Sequence, residues 1–151
     1  MKAIIRLGRE NDMPALLALI KELAEYERAA EQVENTEAQL LADWQAGWFE
    51  FLVAELQGEV VGISLYYKRY STWKGTCFYL EDLYVKPELR GQGIGLALLK
   101  ETAKTAKKAG ANRLDWQVID WNTPAVDFYK KLGADIETEW WNCKLSLQEE
   151  Y

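Results

Sequence analysis

The sequence predicts a mixed α/β fold in which hairpins and crossover helices build one sheet. Two strand-like segments flank Gln57-Gly58-Glu59, a tight turn typical of an antiparallel hairpin. Two later segments with helical spacing stop at Gly110 and Gly133, and glycine is the usual residue just past a helix end. Hairpins combined with helices between strands favour a mixed sheet. Because 151 residues is close to the usual size of one domain, we expect residues 1–151 to form a single domain.

The first element is a short strand, Ala3 to Leu7, and a helix follows it. Asn11 or Asp12 can cap this helix, and Pro14 is tolerated in its first turn. An apolar stripe at helical spacing marks the face that packs on the sheet. The stripe consists of Leu16, Leu17, Leu19, Ile20 and Leu23.

A second helix and the hairpin come next. Thr36 with Gln39 gives a capping-box signal for a helix that reaches about Trp44. The hairpin strands are predicted at Phe49 to Leu56 and at Val60 to Tyr67.

Three further strands and two helices complete the predicted order. Strands are expected at Phe78 to Val85, at Leu114 to Val118 and at Trp140 to Leu147. One helix runs from Gly93 to Ala109. The other is capped by Thr123, starts at Pro124 and reaches Leu132.

Composition narrows the class of protein. A net charge of −6 argues against a nucleic-acid partner and suits a cationic ligand, although ordinary surface acidity explains it equally well. The chain has no His, and its two cysteines, Cys77 and Cys143, lie too far apart for a zinc motif, so we expect no metal. Each cysteine is expected in a strand as a small apolar residue.

The chain shows no sign of a membrane or secretory address. Its start is too quickly polar for a signal peptide, and no apolar segment approaches the ~18 residues that span a bilayer. We therefore expect a cytoplasmic protein without a membrane partner.

A glycine-rich turn at Arg90 to Gly95 follows a strand and opens a helix. Free N–H groups at helix N-termini bind phosphate oxygens, and glycine allows close approach to the backbone. Three interpretations are open: a turn without a ligand, a dinucleotide site with Asp115 as its acidic residue, or an acetyl-CoA diphosphate loop. The dinucleotide fingerprint has a different glycine spacing. In this chain about 85 residues with a hairpin precede the turn, and they do not fit the βαβαβ unit of a dinucleotide-binding fold.

Residues Arg90 to Gly95 match the R/Q-x-x-G-x-G/A motif of the GNAT superfamily of N-acetyltransferases, and the chain resembles that superfamily over almost its whole length. The similarity narrows to spermidine/spermine (diamine) N-acetyltransferases. It is carried by LIKELAEYE ending at Glu27, EQV ending at Val33, YYKRYSTWKG ending at Gly75, YLEDLYV ending at Val85, Trp121-Asn122 and FYKKLGA ending at Ala134.

The resemblance implies a GNAT fold, a mixed and mostly antiparallel sheet with flanking helices and one splayed strand pair. Acetyl-CoA, the implied co-substrate, would enter between the strands around Leu83 to Val85 and Leu114 to Val118. The family is commonly dimeric, so a homodimer is expected. The residues implied in cofactor binding are Leu83, Tyr84, Val85, Arg90, Gly91, Gln92, Gly93, Ile94, Gly95, Leu96, Asn122, Thr123, Pro124, Ala125 and Tyr129.

Two carboxylates lie in the middle of an apolar strand, and acetyl transfer needs a proton acceptor. An alkyl amine has a pKa near ~10.4, so about one molecule in a thousand is neutral at pH 7. Strand alternation predicts that Glu81 and Asp82 point to opposite faces of the sheet. Either can instead be the partner of a structural arginine. The resemblance makes Glu81 the acceptor and leaves Asp82 as charge support.

The implied acid is Tyr129, which by resemblance protonates the sulfur of CoA; the alternative is an ordinary core aromatic. The implied amine pocket would hold a diamine, a polyamine or a lysine- or thialysine-like amine, and Glu27 would bind the remote cation. A protein-lysine or amino-acid N-acetyltransferase, a non-catalytic binding module and a dinucleotide enzyme are the alternatives. The pocket residues are Tyr26, Glu27, Glu81, Asp82, Asp115, Trp116 and Gln117, with Trp44, Trp48, Trp73 and Glu139 as further candidates.

Overall fold

The computed structural model describes residues 2–148. These residues form two compact units, one ending at Gln117 and one beginning at Val118. The single-domain prediction stays a prediction. Among the helices of residues 2–148, none is both long and apolar enough to cross a membrane.

The first unit is a five-stranded sheet with three helices. Its strands are β1 (Ile4–Leu7), β2 (Glu50–Leu56), β3 (Glu59–Ser71), β4 (Gly75–Val85) and β5 (Leu114–Asp115). Its helices are α1 (Met13–Tyr26), α2 (Glu37–Gln45) and α3 (Ile94–Lys108). The strands lie in the order β1-β2-β3-β4-β5, all neighbours being antiparallel except β4 and β5. The predicted mixed, mostly antiparallel sheet is confirmed.

A buried ionic network joins β1 to the start of α1. The guanidinium of Arg6 donates to both oxygens of Asp12, at 2.8 and 2.9 Å, and also to Glu55. These bonds hold the pKa of Asp12 below its ordinary value, so the buried carboxylate stays charged and paired. The helix begins beside this network with Pro14 in its first turn, as predicted.

Local signals also place α2 and the hairpin. The hydroxyl of Thr36 accepts a hydrogen bond from the backbone of Gln39 at 3.1 Å, which caps α2 as expected. The side chain of Gln39 donates to Asp43 instead of completing the capping box. Gln57 and Gly58 both have positive φ, which forms the two-residue turn that suits a twisted hairpin.

Helices pack on both faces of the sheet. On one face, α1 and α2 contribute Leu16, Leu19 and Leu40 to a core shared with β2 and β3. On the other face, Ile94 and Leu98 of α3 pack against the sheet. This arrangement brings the start of α3 next to the end of β4, because only the short turn after Val85 separates them.

The middle of β4 carries a β-bulge. Leu65 of β3 faces Asp82, whereas the next residue, Tyr66, faces Leu80, so Glu81 is the extra residue. The bulge makes the prediction of opposite faces for Glu81 and Asp82 wrong, because an extra residue breaks the alternation of side chains.

The parallel ladder between β4 and β5 is very short. It pairs Phe78 with Leu114 and Tyr79 with Asp115. Beyond Tyr79, β4 continues to Val85 paired with β3 but not with β5. The predicted strand from Leu114 to Val118 therefore ends early, because the ladder that would define it stops where the two segments separate. The splayed strand pair that the resemblance implied stays a prediction.

The second unit contains α4 (Thr123–Lys131). Thr123 is its first residue and not its cap, because the N-cap position is occupied by Asn122. Pro124 lies in the first turn, and Gly133 follows the helix end with a φ of +88°, as predicted for a glycine stop.

The predicted strand from Trp140 to Leu147 is wrong. The segment joins no ladder among the described residues, and a strand needs a partner for its backbone groups. Its apolar residues face solvent, Trp141 being 89% exposed. Cys143 is exposed here, whereas Cys77 is buried in β4 as expected.

Candidate active site

An acidic cleft of about 360 Å³ opens between the end of α1, the loop before α2 and the bulge of β4. Its apolar wall is formed by side chains from α1 and that loop. Four carboxylates, Glu27, Glu34, Glu81 and Asp82, lie in its lining. The cleft thus unites three of the predicted substrate residues. It also brings Glu81 and Asp82 to one side of the sheet.

Glu27 is placed by the end of α1, where it is the C-cap residue. A negative charge at a helix C-terminus meets the negative end of the helix dipole, which disfavours it. Burial, and then the charge of Glu81, raise the pKa of Glu27. A cation in the cleft would therefore favour the charged form of this carboxylate.

Asp82 is the most deeply placed acid of the cleft. Burial, followed by the charges of Glu81 and Glu27, raises the pKa of Asp82 to about 7. Within residues 2–148, no salt bridge engages Glu27, Glu81 or Asp82. The alternative that either β4 carboxylate pairs with a structural arginine is therefore wrong.

Glu81 is held from the neighbouring strand. The hydroxyl of Tyr67 donates a hydrogen bond to Glu81 Oε1 at 2.7 Å. Burial and this bond both raise the pKa of Tyr67, so its hydroxyl stays protonated as a donor at neutral pH. One carboxylate oxygen of Glu81 is thus engaged by the protein.

The glycine turn leads into α3, where the first N–H groups of the helix have no acceptor within it. Gly91 and Gly93 have φ of +80° and +83°, and Gly93 is the N-cap. The first intrahelical bond runs from the backbone of Ala97 to Gly93, so the three N–H groups of 94–96 have no acceptor within the helix. The first turn of α3 has no acidic residue. These features fit a diphosphate.

Arg90 links this turn to the end of β4 and to the end of α1. Its Nε donates to the carbonyl of Val85 at 3.1 Å. Its guanidinium lies over the ring of Tyr26, 5.0 Å from the centroid, and over that of Tyr84, at 5.3 Å. The ring of Tyr84 is buried, and its hydroxyl donates to Glu22. Tyr26, a predicted substrate contact, is therefore packed against the predicted cofactor turn.

Asp115 lies outside the acidic cleft and is ion-paired. Arg113 donates to its carboxylate at 2.6 Å, and Arg69 lies 3.8 Å away. Its carboxylate is therefore already paired and is not a free anion for a substrate cation. The other two residues predicted in this stretch, Trp116 and Gln117, follow it directly in the sequence. The dinucleotide hypothesis is excluded by the antiparallel ladders from β1 to β4, since that fold needs parallel strands.

None of the candidate tryptophans lines the cleft. Trp44 packs edge-on against Phe51, which agrees with a core position. Trp48 and Trp73 are 73% and 83% exposed, so neither is a core residue.

The sequence did not single out several residues of this site. Gln32, Glu34 and Asn35 line the cleft from the loop before α2, and Tyr67 contacts Glu81. The only signal for the loop was the matching EQV segment that ends at Val33. A polar loop residue gives no periodic pattern, and the partner of a side chain on another strand depends on register.

In the second unit, the predicted cofactor contacts Asn122, Thr123, Pro124 and Ala125 form the start of α4. Tyr129 lies in the same helix, partly exposed, with its ring centroid 5.4 Å from that of Phe128. Glu139 is exposed in the segment after the helix.

Comparison with known proteins agrees with this geometry. Residues 16–134 match the acetyltransferase (GNAT) family. The chain is 47% identical to thialysine N-epsilon-acetyltransferase of Bos taurus, covering 93% of this chain and 89% of that protein. It is 35% identical to human spermidine/spermine N(1)-acetyltransferase-like protein 1, covering 89% of this chain and 21% of that longer protein.

The fold also matches solved structures. An aminoglycoside acetyltransferase from a soil metagenomic sample superposes with a TM-score of 0.81 at 22% identity, over 95% of this chain and 97% of that one. At this identity the likeness concerns the fold alone. The family match, covering well over half of the residues, is supported by the sequence relatives. The chain therefore belongs to the acetyltransferase (GNAT) family and is an N-acetyltransferase.

Proposed function

We propose that the protein transfers the acetyl group of acetyl-CoA to the primary amine of a small molecule that carries a second cationic group. The observation that carries this proposal is the acidic cleft, in which Glu27, Glu81 and Asp82 have no salt-bridge partner among the described residues. Three acids in one cleft repel each other unless a cation enters. The similarity to thialysine N-epsilon-acetyltransferase supports a lysine-like amine, and diamines and polyamines share its two cations.

The turn before α3 is the proposed site for the diphosphate of acetyl-CoA. Its N–H groups without a helical acceptor and the absence of acids in the first helical turn suit an anion. A Cβ at Gly91 or Gly93 would meet nothing within 4 Å, so glycine is required here by the positive φ. The ladder with β5 ends at Tyr79, and we assign the end of β4, at Leu83 to Val85, to the pantetheine arm. By resemblance, the start of α4 is also assigned to the cofactor.

Acetyl-CoA supplies an acetyl group activated as a thioester. The ammonium group must first give up a proton to free its lone pair, and we assign this proton to Glu81, directly or through a water molecule. The nitrogen then bonds to the acetyl carbon and releases a second proton, which balances the proton that the sulfur gains. The carbon–sulfur bond breaks in the same exchange, and we assign protonation of the departing sulfur to Tyr129. Asp82 and Glu27 stabilise the cationic substrate before transfer.

We also propose that the protein is a homodimer, which the resemblance to the diamine enzymes implies, and that it is cytoplasmic, as expected from the sequence. Light scattering coupled to gel filtration measures this directly. A mass near 35 kDa, about twice the 17.4 kDa chain, is expected.

The decisive assay is thiol release from acetyl-CoA with matched amines. Pentane-1,5-diamine and lysine each carry a second cation five carbons from the reacting nitrogen, and pentylamine lacks it. We expect acetylation of at least one of the first two, with kcat/KM at least about tenfold above that of pentylamine, since a hydrogen bond to a charged group is worth about 1.5 kcal/mol or more. Silence across the panel, or equal use of pentylamine, would contradict the proposal.

A further inference from the structure

Tyr67 pairs with Tyr79 across the ladder, near the bulge at Glu81, and its hydroxyl contacts Glu81. Its hydroxyl is 2.7 Å from Glu81 Oε1. Glu81 is the extra residue in the ladder and therefore has no cross-strand partner of its own. A regular pleat does not fix the direction of such a side chain, because a bulge re-aims it. The hydroxyl of Tyr67 supplies the missing constraint.

The ring of Tyr67 is itself held in place. The ring of Tyr79 packs on it at 5.6 Å between centroids. The guanidinium of Arg69 lies over the ring of Tyr79, 5.2 Å from its centroid, and is 3.8 Å from the carboxylate of Asp115. Tyr67 also packs against the core on one side of the sheet. This support keeps the hydroxyl fixed, since a packed aromatic ring has few alternative rotamers.

We propose that Tyr67 is a positioning residue for acetyl transfer, which holds Glu81 Oε1 so that Oε2 faces the amine in the acidic cleft. A carboxylate has two oxygens, and occupation of one leaves the other as the acceptor for the substrate proton. The hydroxyl of Tyr67 gives up no proton in the reaction; it remains the donor to Oε1 throughout. This inference rests on the proposed role of Glu81.

A double-mutant cycle with Tyr67→Phe and Glu81→Gln tests the inference. Tyr67→Phe keeps the ring and removes only the hydroxyl, so we expect an unchanged melting temperature and an unchanged KM for acetyl-CoA. Its kcat for the best amine of the panel should fall about tenfold, the loss that corresponds to one hydrogen bond to a charged group. In the Glu81→Gln background, the same substitution should change kcat less than about twofold, because its partner is already disabled.

The controls separate this inference from the proposed function. Tyr70→Phe removes a hydroxyl from an exposed position on the same strand and should leave kcat unchanged. If Tyr67→Phe lowers kcat by the same factor in both backgrounds, or in neither, Tyr67 does not act through Glu81 and the inference fails alone. If Glu81→Gln itself retains full activity, the proposed role of Glu81 fails, and the inference fails with it.

Discussion

Individual carboxylates of the cleft gain their chemistry from their neighbours. Glu27 is an ordinary acid at the end of α1 until the bulge of β4 brings Glu81 and Asp82 beside it. The raised pKa values of Glu27 and Asp82 are the electrostatic result of this approach and of burial. An entering ammonium group relieves the repulsion, and the same repulsion therefore favours substrate binding.

Glu27→Gln tests the remote anchor. We expect the KM for pentane-1,5-diamine to rise about tenfold and the KM for pentylamine to change less than about twofold, because only the diamine has a cation left for Glu27. Glu25→Gln is the matched control, since it removes the same charge from an exposed site on α1 that does not line the cleft. Equal increases for the two amines would reject an anchor at Glu27.

Tyr129→Phe tests the proposed acid. Loss of a general acid usually lowers a rate by about 10²-fold or more, so kcat should fall by that order. The KM for acetyl-CoA should stay within about twofold, because the ring remains. Steady-state thiol release measures both, and Tyr70→Phe again serves as control. An unchanged kcat would remove Tyr129 from the mechanism.

At the scale of elements, α3 was predicted well because its signals are local. The glycine turn, the helix and the stop at Gly110 are each encoded by neighbouring residues, and the observed limits differ from the prediction by one residue at each end. The bulge at Glu81 was not predictable, because it arises from register between β3 and β4. The short β5 and the irregular segment from Trp140 to Leu147 were missed for the same reason: apolar alternation does not provide a partner strand.

Gly93→Ala tests the start of α3 as the diphosphate site. A Cβ there meets no atom, so the cost is the left-handed backbone, about 1–2 kcal/mol of unfolding free energy. Gly110→Ala is a matched control at the other end of α3, with a φ of +90° and equally open space. Both variants should melt at a similarly lower temperature.

Only Gly93→Ala should weaken the binding of acetyl-CoA. We expect the KM for acetyl-CoA to rise about tenfold in Gly93→Ala and to stay within about twofold in Gly110→Ala, since shifted N–H groups bind phosphate less well. An identical KM in the two variants would argue that the diphosphate binds elsewhere.

At the scale of the whole molecule, the acidic cleft lowers the stability of the fold. The pKa of Asp82 is about 7 in the folded protein and close to 3.8 when the chain is unfolded. The folded state therefore holds this proton more tightly. The resulting stabilisation is complete below about pH 4 and is lost as the pH rises through 7.

Asp82→Asn should remove this dependence. Between pH 5 and pH 8, the free energy of unfolding of the natural protein should fall by about 2 kcal/mol more than that of the variant, as measured by urea denaturation. Asp120→Asn changes an exposed acid and should leave the pH dependence as it is. A difference that stays constant from pH 5 to 8 would show that Asp82 is ionised in the folded protein throughout.

Much of the molecule was predictable from residues in sequence order, including the mixed sheet, four helices and the glycine-rich turn before α3. The association of Glu27 with Glu81 rested on resemblance alone, because the residues lie on separate elements. The contribution of Glu34 and Tyr67 needed the folded chain, because Glu34 lies outside the matching segments and the YYKRYSTWKG segment does not reveal that Tyr67 contacts Glu81.

A crystal structure with CoA and pentane-1,5-diamine tests the central claim most directly. We expect the diphosphate within hydrogen-bonding distance of the backbone N–H groups of 91–96. We also expect one diamine nitrogen against Glu81 and Asp82 and the other near Glu27. Diphosphate density away from this turn, or a diamine outside the acidic cleft, would contradict it.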